Sequence, residues 1–451
     1  MPPFQIDRNL LLMKVHYFVG IGGYAPIFPF LTPILKQRGY SAFIVGLIYT
    51  LQPIPALFIR PITGVITDRF KCRRSVFIAS TLIMFGLVAL LSVIPGSVSD
   101  VEMNDLDVIK SPLFWFYFVT ITLVNMDGTI NGVLADTVCI NLLGEEKNKY
   151  GKQRLWGSIG WSLAAIAAGV SVDWYSKDLT YKNYTLAFII SLLCFLIDII
   201  VVSKIKIVQE EETKIVVSDL KRVLTESKAL AFILWVILFG FFMSFIWNFV
   251  FWYIEDLSII YHPETKSWMK TLQGVALIIQ CFAGEVPSFF VSGYILKRID
   301  HMTVFSLMFL TFTVVFYLYS IIQNPLWTLP VEILNGIAFG MAYSAAVSYA
   351  GIITPAGAEG TVQSIFGTAL NGIGAPIGSF TGGNMFKNLG SIQSFRLLTG
   401  LALVVCISQV SVNFLLNCRH RPSDNGATTN KDCAYNLVET KDTAEDTIPT
   451  L

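Results

Sequence analysis

The sequence predicts an all-α membrane protein with twelve transmembrane helices in two bundles of six. Three observations predict this fold: a composition poor in charge, twelve long apolar segments, and a charged interval midway along the chain. Hydrophobic residues make up 54% of the 451 residues and charged residues only 14%, and the mean hydropathy is +0.62. Soluble domains carry about 25% charged residues. Because this chain has too few charges to cover a soluble surface, we expect it to be surrounded by lipid.

Twelve segments have the roughly 20 apolar residues that are needed to cross a bilayer core. They lie near residues 10–35, 42–66, 75–95, 113–142, 152–172, 185–203, 229–254, 271–296, 302–322, 326–352, 361–386 and 393–416. The charged interval falls between the sixth and the seventh. We therefore expect an N-terminal bundle at 1–203, a cytoplasmic linker at 204–228, a C-terminal bundle at 229–416 and a disordered cytoplasmic tail at 417–451. The end of the linker, from residue 218, has the pattern of a short amphipathic helix.

The Lys and Arg residues predict a cytoplasmic location for both termini. Of 32 such residues, 22 fall on one side of the predicted spans, nine on the other, and Arg60 within a span. Cytoplasmic segments of membrane proteins are enriched in Lys and Arg. The sequon Asn183-Tyr184-Thr185 then lies in an outer loop, which predicts a glycoprotein modified at Asn183. We expect a multi-pass protein of the plasma membrane, with an endomembrane as the alternative.

Composition and motifs argue against several functional classes. The formal net charge of +1 does not favour a polyanionic partner, so we expect no nucleic acid. The sequence has no cluster of metal ligands, no nucleophile with a suitable base and no phosphate-binding loop, and it therefore predicts no enzyme, no metal and no cofactor. We expect a monomer whose partners are the lipid bilayer and a small polar solute.

A basic turn follows the second helix of each predicted half. The two turns are Gly64-Val-Ile-Thr-Asp68-Arg69-Phe70-Lys71-Cys72-Arg73-Arg74 and Gly293-Tyr-Ile-Leu-Lys297-Arg298. Each has a Gly four residues before a charged residue, and the two glycines are 229 residues apart. Such an offset is expected of a transporter built from two repeated bundles.

The first of these turns resembles the signature of the major facilitator superfamily between helices two and three. The resemblance implies a conformational latch, formed by Gly64, Asp68, Arg69, Arg73 and Arg74. In that latch Asp68 docks near the inner N-terminus of helix eleven, where the helix dipole is positive, and holds the outward-open state. The signature has a second Gly where this chain has Lys71, so we expect a differently built turn.

Several charges lie inside the predicted spans, where each costs about 2.5–3.5 kcal/mol to insert and therefore indicates function. They are Arg60, Asp127, Asp136, Arg154, Asp198, Glu285 and Glu332. Asp136 on helix four and Arg154 on helix five are each nine residues from Glu145 in the turn between them, which places both at a depth of roughly 13 Å. We expect the two to form an ion pair. It is either part of a substrate site or purely structural.

The chain also resembles the lactose permease branch of the superfamily, in three segments. These are Gly23-Tyr-Ala-Pro-Ile-Phe-Pro-Phe30, Tyr150-Gly-Lys-Gln-Arg154-Leu-Trp-Gly157-Ser158-Ile-Gly160-Trp161 and Gly382-Gly-Asn-Met-Phe386. In that permease an acidic residue of helix four and an Arg and a Trp of helix five bind the sugar. The resemblance implies the same roles for Asp136, Arg154 and Trp161, with Ser158 in the same segment. For Trp161, ordinary packing is the alternative.

Helix eight contains Gly284-Glu285-Val286-Pro287-Ser288-Phe289-Phe290. The related permeases have a substrate-contacting Glu on this helix, which implies a substrate-binding role for Glu285. The Glu-x-Pro-x-Phe-Phe pattern is most similar to the major facilitator superfamily domain-containing protein 6-like group, which includes relatives of nucleoside symporters. That likeness covers residues 1–416 and implies the major facilitator fold.

The proton site of the lactose permease has no counterpart here. Residues 335–349 of helix ten contain no His or Glu, and helix nine contains no Arg. If protons drive transport, the candidate carriers are Asp127, Asp136 and Glu285, since burial can raise the pKa of a carboxyl toward neutrality. His16 is interpreted as a packing residue, with a role as proton partner as the alternative.

Glycines at short spacing indicate close helix packing. They are Gly157 and Gly160 on helix five, and Gly374, Gly378 and Gly382 on helix eleven. In the major facilitator fold these helices line the contact between the halves, which implies a moving contact there; static packing is the alternative. We therefore expect a secondary active transporter, a symporter if protons are used, that moves a sugar- or nucleoside-like solute by alternating access. The alternative is a non-transporting receptor or trafficking protein with the same fold.

Overall fold

The computed structural model describes residues 7–94, 102–144, 150–177, 179–207, 227–353 and 365–419. Its helices are numbered in chain order. They are α1 Arg8–His16, α2 Gly22–Tyr24, α3 Leu31–Gln37, α4 Ala42–Leu51, α5 Pro53–Arg69, α6 Arg73–Val93, α7 Asp105–Lys110, α8 Pro112–Leu143, α9 Tyr150–Tyr175, α10 Thr185–Lys204, α11 Ser227–Tyr261, α12 Met269–Ile278, α13 Val286–Leu296, α14 His301–Ile321, α15 Thr328–Ile353, α16 Ala375–Leu389 and α17 Ser391–Arg419. The described residues up to Gln409 form one compact unit, and those from 410 to 419 belong to a second.

Ten helical stretches of the described residues are long and apolar enough to cross a membrane. They coincide with ten of the twelve predicted segments. Most ends agree to within three residues, but Arg60, Tyr261 and Pro263 differ from the predicted ends by six, seven and eight residues. The expectation of an integral, all-helical, multi-pass protein is therefore confirmed. The predicted linker helix at 218–228 and the tail beyond Arg419 fall almost entirely outside the described residues. The last helix continues to Arg419, two residues past the predicted start of the tail.

The two remaining predicted spans are helical but interrupted. Residues 10–35 contain α1, α2 and α3, with turns at residues 25–30. Pro26 and Pro29 lie in those turns, and a proline removes a backbone donor and clashes with the preceding turn. The segment 361–386 begins outside the described residues and continues through α16.

Three π-helical segments interrupt the α-helical geometry. They are Tyr17–Ile21, Ile279–Glu285 and Thr368–Gly374. The last two are each followed, two residues on, by a proline, Pro287 and Pro376. Because a proline cannot make the normal backbone hydrogen bond, a wider turn before it relieves the clash. Such π-bulges occur frequently at functional sites.

Aromatic rings fill the core of the C-terminal half. Phe242 on α11 lies 5.7 Å from Phe316 on α14, and Phe316 lies 5.9 Å from Phe395 on α17, measured between ring centroids. Tyr253 packs edge-on against Phe395 at 4.9 Å. All four rings are buried. They hold three helices together, since aromatic pairs at such distances add to the stabilisation from burial.

Helices of the N-terminal half (residues 7–207) contact helices of the C-terminal half (residues 227–409) along two crossings that depend on glycine. A Cβ atom on Gly46 of α4 would lie 2.7 Å from the Cα of Gly383 on α16. A Cβ atom on Gly274 of α12 would lie 2.8 Å from the Cα of Ile166 on α9. Both distances are shorter than real Cβ contacts, so only glycine permits such close approach of the backbones.

These crossings correct the prediction about which glycines line the contact between halves. Gly160 of α9 packs against the backbone of Phe18 in the same half, and Gly374 packs against the backbone of Ile237 on α11. The predicted glycines therefore pack helices tightly within a half. Spacing alone could not show which face of each helix meets the other half.

The turn after α5 departs from the family signature in the expected place. Lys71 has a φ of +52° and is the only described residue other than glycine with a positive φ. This left-handed conformation favours glycine, because a Cβ atom costs about 1–2 kcal/mol there. The turn therefore keeps the geometry that a glycine would adopt, with a lysine in it.

Candidate functional site

Asp136 lies at the centre of a hydrogen-bonded cluster near one end of α8. Its Oδ1 accepts a hydrogen bond from the Tyr17 hydroxyl at 2.9 Å and another from the Tyr150 hydroxyl at 2.8 Å. Tyr17 is the first residue of the first π-segment, and Tyr150 is the first residue of α9. Two phenol donors hold the carboxylate from two neighbouring helical segments. Neither tyrosine was identified from the sequence as a site residue.

Arg154 does not form the predicted ion pair with Asp136. Among the described residues no carboxylate lies within 4.0 Å of its guanidinium, which sits 5.5 Å from the centre of the Tyr17 ring. Asp136 and Arg154 nevertheless both interact electrostatically with Tyr150. Equal distance from the turn therefore places Asp136 and Arg154 near the same residue, Tyr150. The predicted ion pair was wrong, because the Tyr17 and Tyr150 hydroxyls form hydrogen bonds to the Asp136 carboxylate instead.

Arg154 is exposed although it lies within a helix that is apolar enough to span a membrane. Arg60, at the end of the span Ala42–Arg60, is exposed as well. A guanidinium inside a span is costly unless it meets water or a counter-charge. Both guanidinium groups interact electrostatically with one residue of the C-terminal half, Tyr343.

Tyr343 on α15 is the residue of the C-terminal half that lies near these charged groups. It interacts electrostatically with Arg154, Asp136 and Arg60, and 37% of its surface is exposed. Its ring is part of an aromatic row that also contains Trp247, Phe339 and Phe366, with centroids 5.6–5.9 Å apart. Tyr343 was not identified from the sequence as a site residue. Its position depends on which face of α15 lies toward Asp136 and Arg154, which the sequence does not show.

Ser158 and Glu285 lie where α9 crosses the second π-segment. The Cys281 thiol donates to the backbone carbonyl of Ser158 at 3.6 Å. Arg154 lies four residues before Ser158 on α9, and Glu285 lies four residues after Cys281 on the π-segment. The chains run antiparallel at this crossing, because α9 residues 165 and 166 contact Gly274 at the other end of the crossing. Arg154 and Glu285 therefore extend in the same direction from it, and Glu285 is half-buried.

Two other predicted residues lie outside this cluster. Trp161 is half-buried on α9, almost two turns from Arg154. Asp127 is nine residues before Asp136 on α8, roughly 13 Å away along the helix. Its Oδ2 is buried and has no hydrogen-bond partner among the described residues. The proposed roles of Trp161 and Asp127 stay predictions.

The opposite end of α9 is closed by polar contacts between the two halves. Asp173 accepts hydrogen bonds from the backbone N–H and the hydroxyl of Thr271 on α12, at 2.6 and 2.8 Å. The Lys182 ammonium donates to Asp173 at 2.6 Å and to the Ser267 carbonyl at 2.7 Å. We call this end, with Asp173 at its centre, the closed end.

Two further lysines form ion pairs between the halves at the closed end. Lys36 on α3 lies 2.6 Å from Asp256 and 3.7 Å from Glu255 on α11. Lys387 on α16 pairs with Asp105 at the start of α7. Tyr184 is buried nearby. Burial, with Glu255 and Asp173 close by, raises the pKa of the Tyr184 phenol well above its ordinary value, so this hydroxyl stays neutral among the charges.

The predicted latch can be followed only in part. The surroundings of Gly64, the side chain of Asp68 and the residues 354–364 before the third π-segment lie outside the described part of the chain. Of the basic residues, Arg74 donates to the Ser203 carbonyl at 3.1 Å and Arg73 is buried, while Arg69 lies 6.0 Å from the ring of its neighbour Phe70. The latch stays a prediction.

The Asn183 side chain forms hydrogen bonds within its own sequon. The side-chain oxygen of Asn183 accepts hydrogen bonds from the N–H and hydroxyl of Thr185, at 2.9 and 2.6 Å, and its glycosylation stays a prediction. In the described part of the chain no three His, Cys, Asp or Glu residues are grouped as metal ligands would be.

Comparison with known proteins decides the family. Residues 10–397 match the MFS_1 like family. The chain belongs to the major facilitator superfamily. This transporter is 24% identical over 402 residues to the uncharacterized transporter YwbF of Bacillus subtilis (strain 168), which covers 88% of this chain and 91% of the relative. It is 25% identical over 183 residues to the maltose permease of Geobacillus stearothermophilus, which covers 40% of this chain and 41% of the permease.

Solved structures show the same fold. The transporter superposes on the crystal structure of the nucleoside transporter NupG with a TM-score of 0.70 at 13% identity, covering 90% of this chain and 99% of NupG. A structure from work on substrate recognition in proton dependent oligopeptide transporters gives a TM-score of 0.64 at 12% identity. That superposition covers 91% of this chain and 99% of the other. The chain is thus an integral membrane transporter of the major facilitator type.

Proposed function

We propose that this transporter moves a small polar solute, sugar- or nucleoside-like, through a cleft between its two halves by alternating access. The observation that carries the proposal is the exposed Arg154 guanidinium, which has no ion-pair partner among the described residues and lies beside Asp136 within the spans. Arg154, Asp136 and Ser158 bind the solute from the N-terminal half. Glu285 and the Tyr343 row bind it from the C-terminal half.

The chemistry of this group suits a hydroxyl-rich ligand. A guanidinium presents a rigid fork of N–H donors, and a carboxylate accepts hydrogen bonds from hydroxyl groups. The Oδ1 of Asp136 is engaged by two phenols, so its second oxygen is the acceptor for the ligand. Aromatic faces such as Tyr343 and Trp161 stack on the apolar face of a sugar or base. The nucleoside transporter and maltose permease among the similar proteins support this class of solute.

Alternating access accounts for the different ends of the molecule. We propose that the halves are two six-helix bundles, completed by the interrupted stretches at α1–α3 and α16, and that both termini are cytoplasmic. The closed end is then external, and the structure corresponds to the inward-facing state. In the outward-facing state the Asp173 contacts break and the latch around Asp68 forms. Protons are the proposed coupling ion, and we propose a monomer in the plasma membrane.

Uptake by proteoliposomes tests the proposal. Full-length protein is reconstituted and incubated with radiolabelled uridine or maltose as the probe, with Arg154→Lys, Asp136→Asn and the unchanged protein compared. Loss of one charge-assisted hydrogen bond, worth about 1.5–3 kcal/mol, lowers uptake roughly 10- to 100-fold. Arg298→Lys is the matched control, because Arg298 is exposed and lies only over its own neighbour Tyr294, at 4.3 Å.

Two results would contradict the proposal. Normal uptake by both Arg154→Lys and Asp136→Asn refutes the site. Binding of a probe with no flux by the unchanged protein would instead favour the alternative of a receptor or trafficking protein with a transporter fold.

A further inference from the structure

A buried acid–base pair lies in the N-terminal half, next to the site but not part of it. The Nδ1 atom of His16, the last residue of α1, lies 2.7 Å from Oδ1 of Asp198 on α10. His16 is 3% exposed and Asp198 is 1% exposed. The edge of the Phe77 ring covers the imidazole, with centroids 5.0 Å apart. The sequence suggested packing for His16, but its ring nitrogen contacts a carboxylate.

His16 and Tyr17 are consecutive residues that contact different helices. His16 ends the α-helical part of the segment and contacts Asp198 on α10, whereas Tyr17 begins the π-segment and donates to Asp136 on α8. Tyr150 donates to the same Asp136 oxygen. A row of polar side chains therefore extends from α10 through the π-turn to α8 and α9. His16 and Tyr17 are joined by one peptide bond. A shift of His16 therefore also moves the Tyr17 hydroxyl.

The charge of the pair depends on a single proton. With a neutral imidazole that donates its Nδ1–H, the pair has the net charge of the Asp198 carboxylate, and an uncompensated carboxylate in a protein interior costs several kcal/mol. Addition of one proton at Nε2 gives an imidazolium–carboxylate pair with no net charge. The pair can therefore bind one proton without other rearrangement of its atoms.

Other ionisable groups surround the pair at greater distance. On the segments packed around it they are Tyr17 and Tyr24 beside α1, Cys194 on α10, Asp127, Asp136 and Cys139 on α8, and Tyr150 and Arg154 on α9. Tyr24 interacts electrostatically with both Asp127 and Asp198. The cations on the surrounding segments are Arg154, whose guanidinium lies over the Tyr17 ring, and Arg73, which is buried on α6 one turn before Phe77. A proton on His16 places a positive charge in direct contact with Asp198.

We propose that His16 and Asp198 form a proton-binding site, and that its occupancy controls how the first π-turn presents Tyr17 to Asp136. This rests on the proposed function, and it names the coupling site for protons. His16 and Asp198 act through Tyr17 and are positioning residues. Proton binding strengthens the link between α1 and α10, fixes the π-turn, and keeps the Asp136 carboxylate oriented for the solute.

The first experiment needs no transported solute. The chain contains four histidines, so ¹⁵N-histidine labelling of the full-length protein in lipid nanodiscs gives four ring signals, and His16→Asn identifies the one from His16. As the pH is lowered, that signal is expected to change from the singly protonated to the doubly protonated ring. In Asp198→Asn the change is expected at a lower pH, because the imidazolium has lost its counter-charge. A signal that does not change, or one that changes at the same pH in Asp198→Asn, overturns the proposal.

The second experiment measures the pH profile of uridine or maltose uptake. The unchanged protein is expected to vary about tenfold in initial rate over two pH units, and His16→Asn less than about twofold. Asn at position 16 can still donate a hydrogen bond to Asp198, so this variant is expected to fold, and its melting temperature verifies that. A His16→Asn profile like that of the unchanged protein overturns the proposal.

Glu332→Gln is the matched control. Glu332 is 3% exposed on α15 and accepts hydrogen bonds from Tyr319 at 2.7 Å and Asn335 at 3.0 Å, but none of its contacts leads to Asp136. Its profile is expected to follow that of the unchanged protein; if it alone becomes flat, the coupling site lies there and the proposal fails. If neither probe is taken up by the unchanged protein, the proposed solute class fails, while the ¹⁵N titration still decides the proton site.

Discussion

Replacing Asp173 by Asn is expected to open the closed end. Two hydrogen bonds from Thr271, at 2.6 and 2.8 Å, join α12 to this carboxylate across the halves. Hydrogen bonds to a charged group contribute about 1.5–3 kcal/mol each. At about 1.5 kcal/mol for each of the two, the variant loses about 3 kcal/mol of the preference for this conformation. The ratio of closed to open molecules then falls roughly 100-fold.

Distances between spin labels measure this change. Labels are attached at Leu179→Cys and Ile260→Cys, two exposed positions at the closed end, one in each half. Double electron–electron resonance then gives the distribution of distances between them. In Asp173→Asn we expect a second, longer distance that is nearly absent from the unchanged protein.

Glu264→Gln is the matched control for this experiment. Glu264 pairs with His262 at 2.7 Å at the same end, but both residues belong to the C-terminal half and Glu264 is 69% exposed. An exposed ion pair contributes little to stability. The distances between the spin labels in Glu264→Gln should therefore match those in the unchanged protein. If Asp173→Asn and Glu264→Gln give the same distribution as the unchanged protein, the Asp173 contacts do not hold the closed end.

Three further predictions concern single positions. Lys71→Gly is expected to stabilise the protein by about 0.5–1 kcal/mol, because glycine tolerates a φ of +52°. The control Lys152→Gly, within α9, should destabilise the protein by about 1 kcal/mol. Equal effects of the two variants on thermal unfolding would refute the explanation. Gly169→Val is expected to lengthen the distance between the spin labels, because a Cβ atom there overlaps the backbone of α12; an unchanged distance would show that the crossing is not close. Tyr150→Phe removes one of two hydrogen bonds to the Asp136 carboxylate, which costs about 1.5–3 kcal/mol. It should raise the KM for uptake roughly 10- to 100-fold without lowering expression; an unchanged KM would remove Tyr150 from the site.

The helices could be predicted from the sequence because hydropathy and length determine them locally. Ten predicted spans agree with the structure to within eight residues at each end, and the prolines at positions 26 and 29 explain the interrupted first one. Depth along a helix was also predictable. Asp136 and Arg154 share Tyr150 and Tyr343 as neighbours, as expected for residues at equal distance from a common turn.

Contacts between helices could not be predicted in this way. The pairing of Asp136 depends on Tyr17, which is 119 residues away in sequence, and no periodicity indicates that contact. The glycines at the crossings of the halves, such as Gly169, were missed because the same spacing serves packing within a half. The ion pairs at the closed end were missed as well, since Lys36 and Asp256 each resemble an ordinary charge beside a membrane surface.

The π-turn at Tyr17–Ile21 has a consequence for how this region can change. A π-turn contains about one residue more per turn than an α-helix. Deletion of one residue from it would restore regular winding and rotate everything on one side of it by about 100° relative to the other. His16 and Tyr17 could then no longer contact Asp198 and Asp136 at the same time. Chain length in this segment is therefore constrained more strictly than the identity of Phe18 or Val19, and relatives that keep both contacts should show no one-residue gap there.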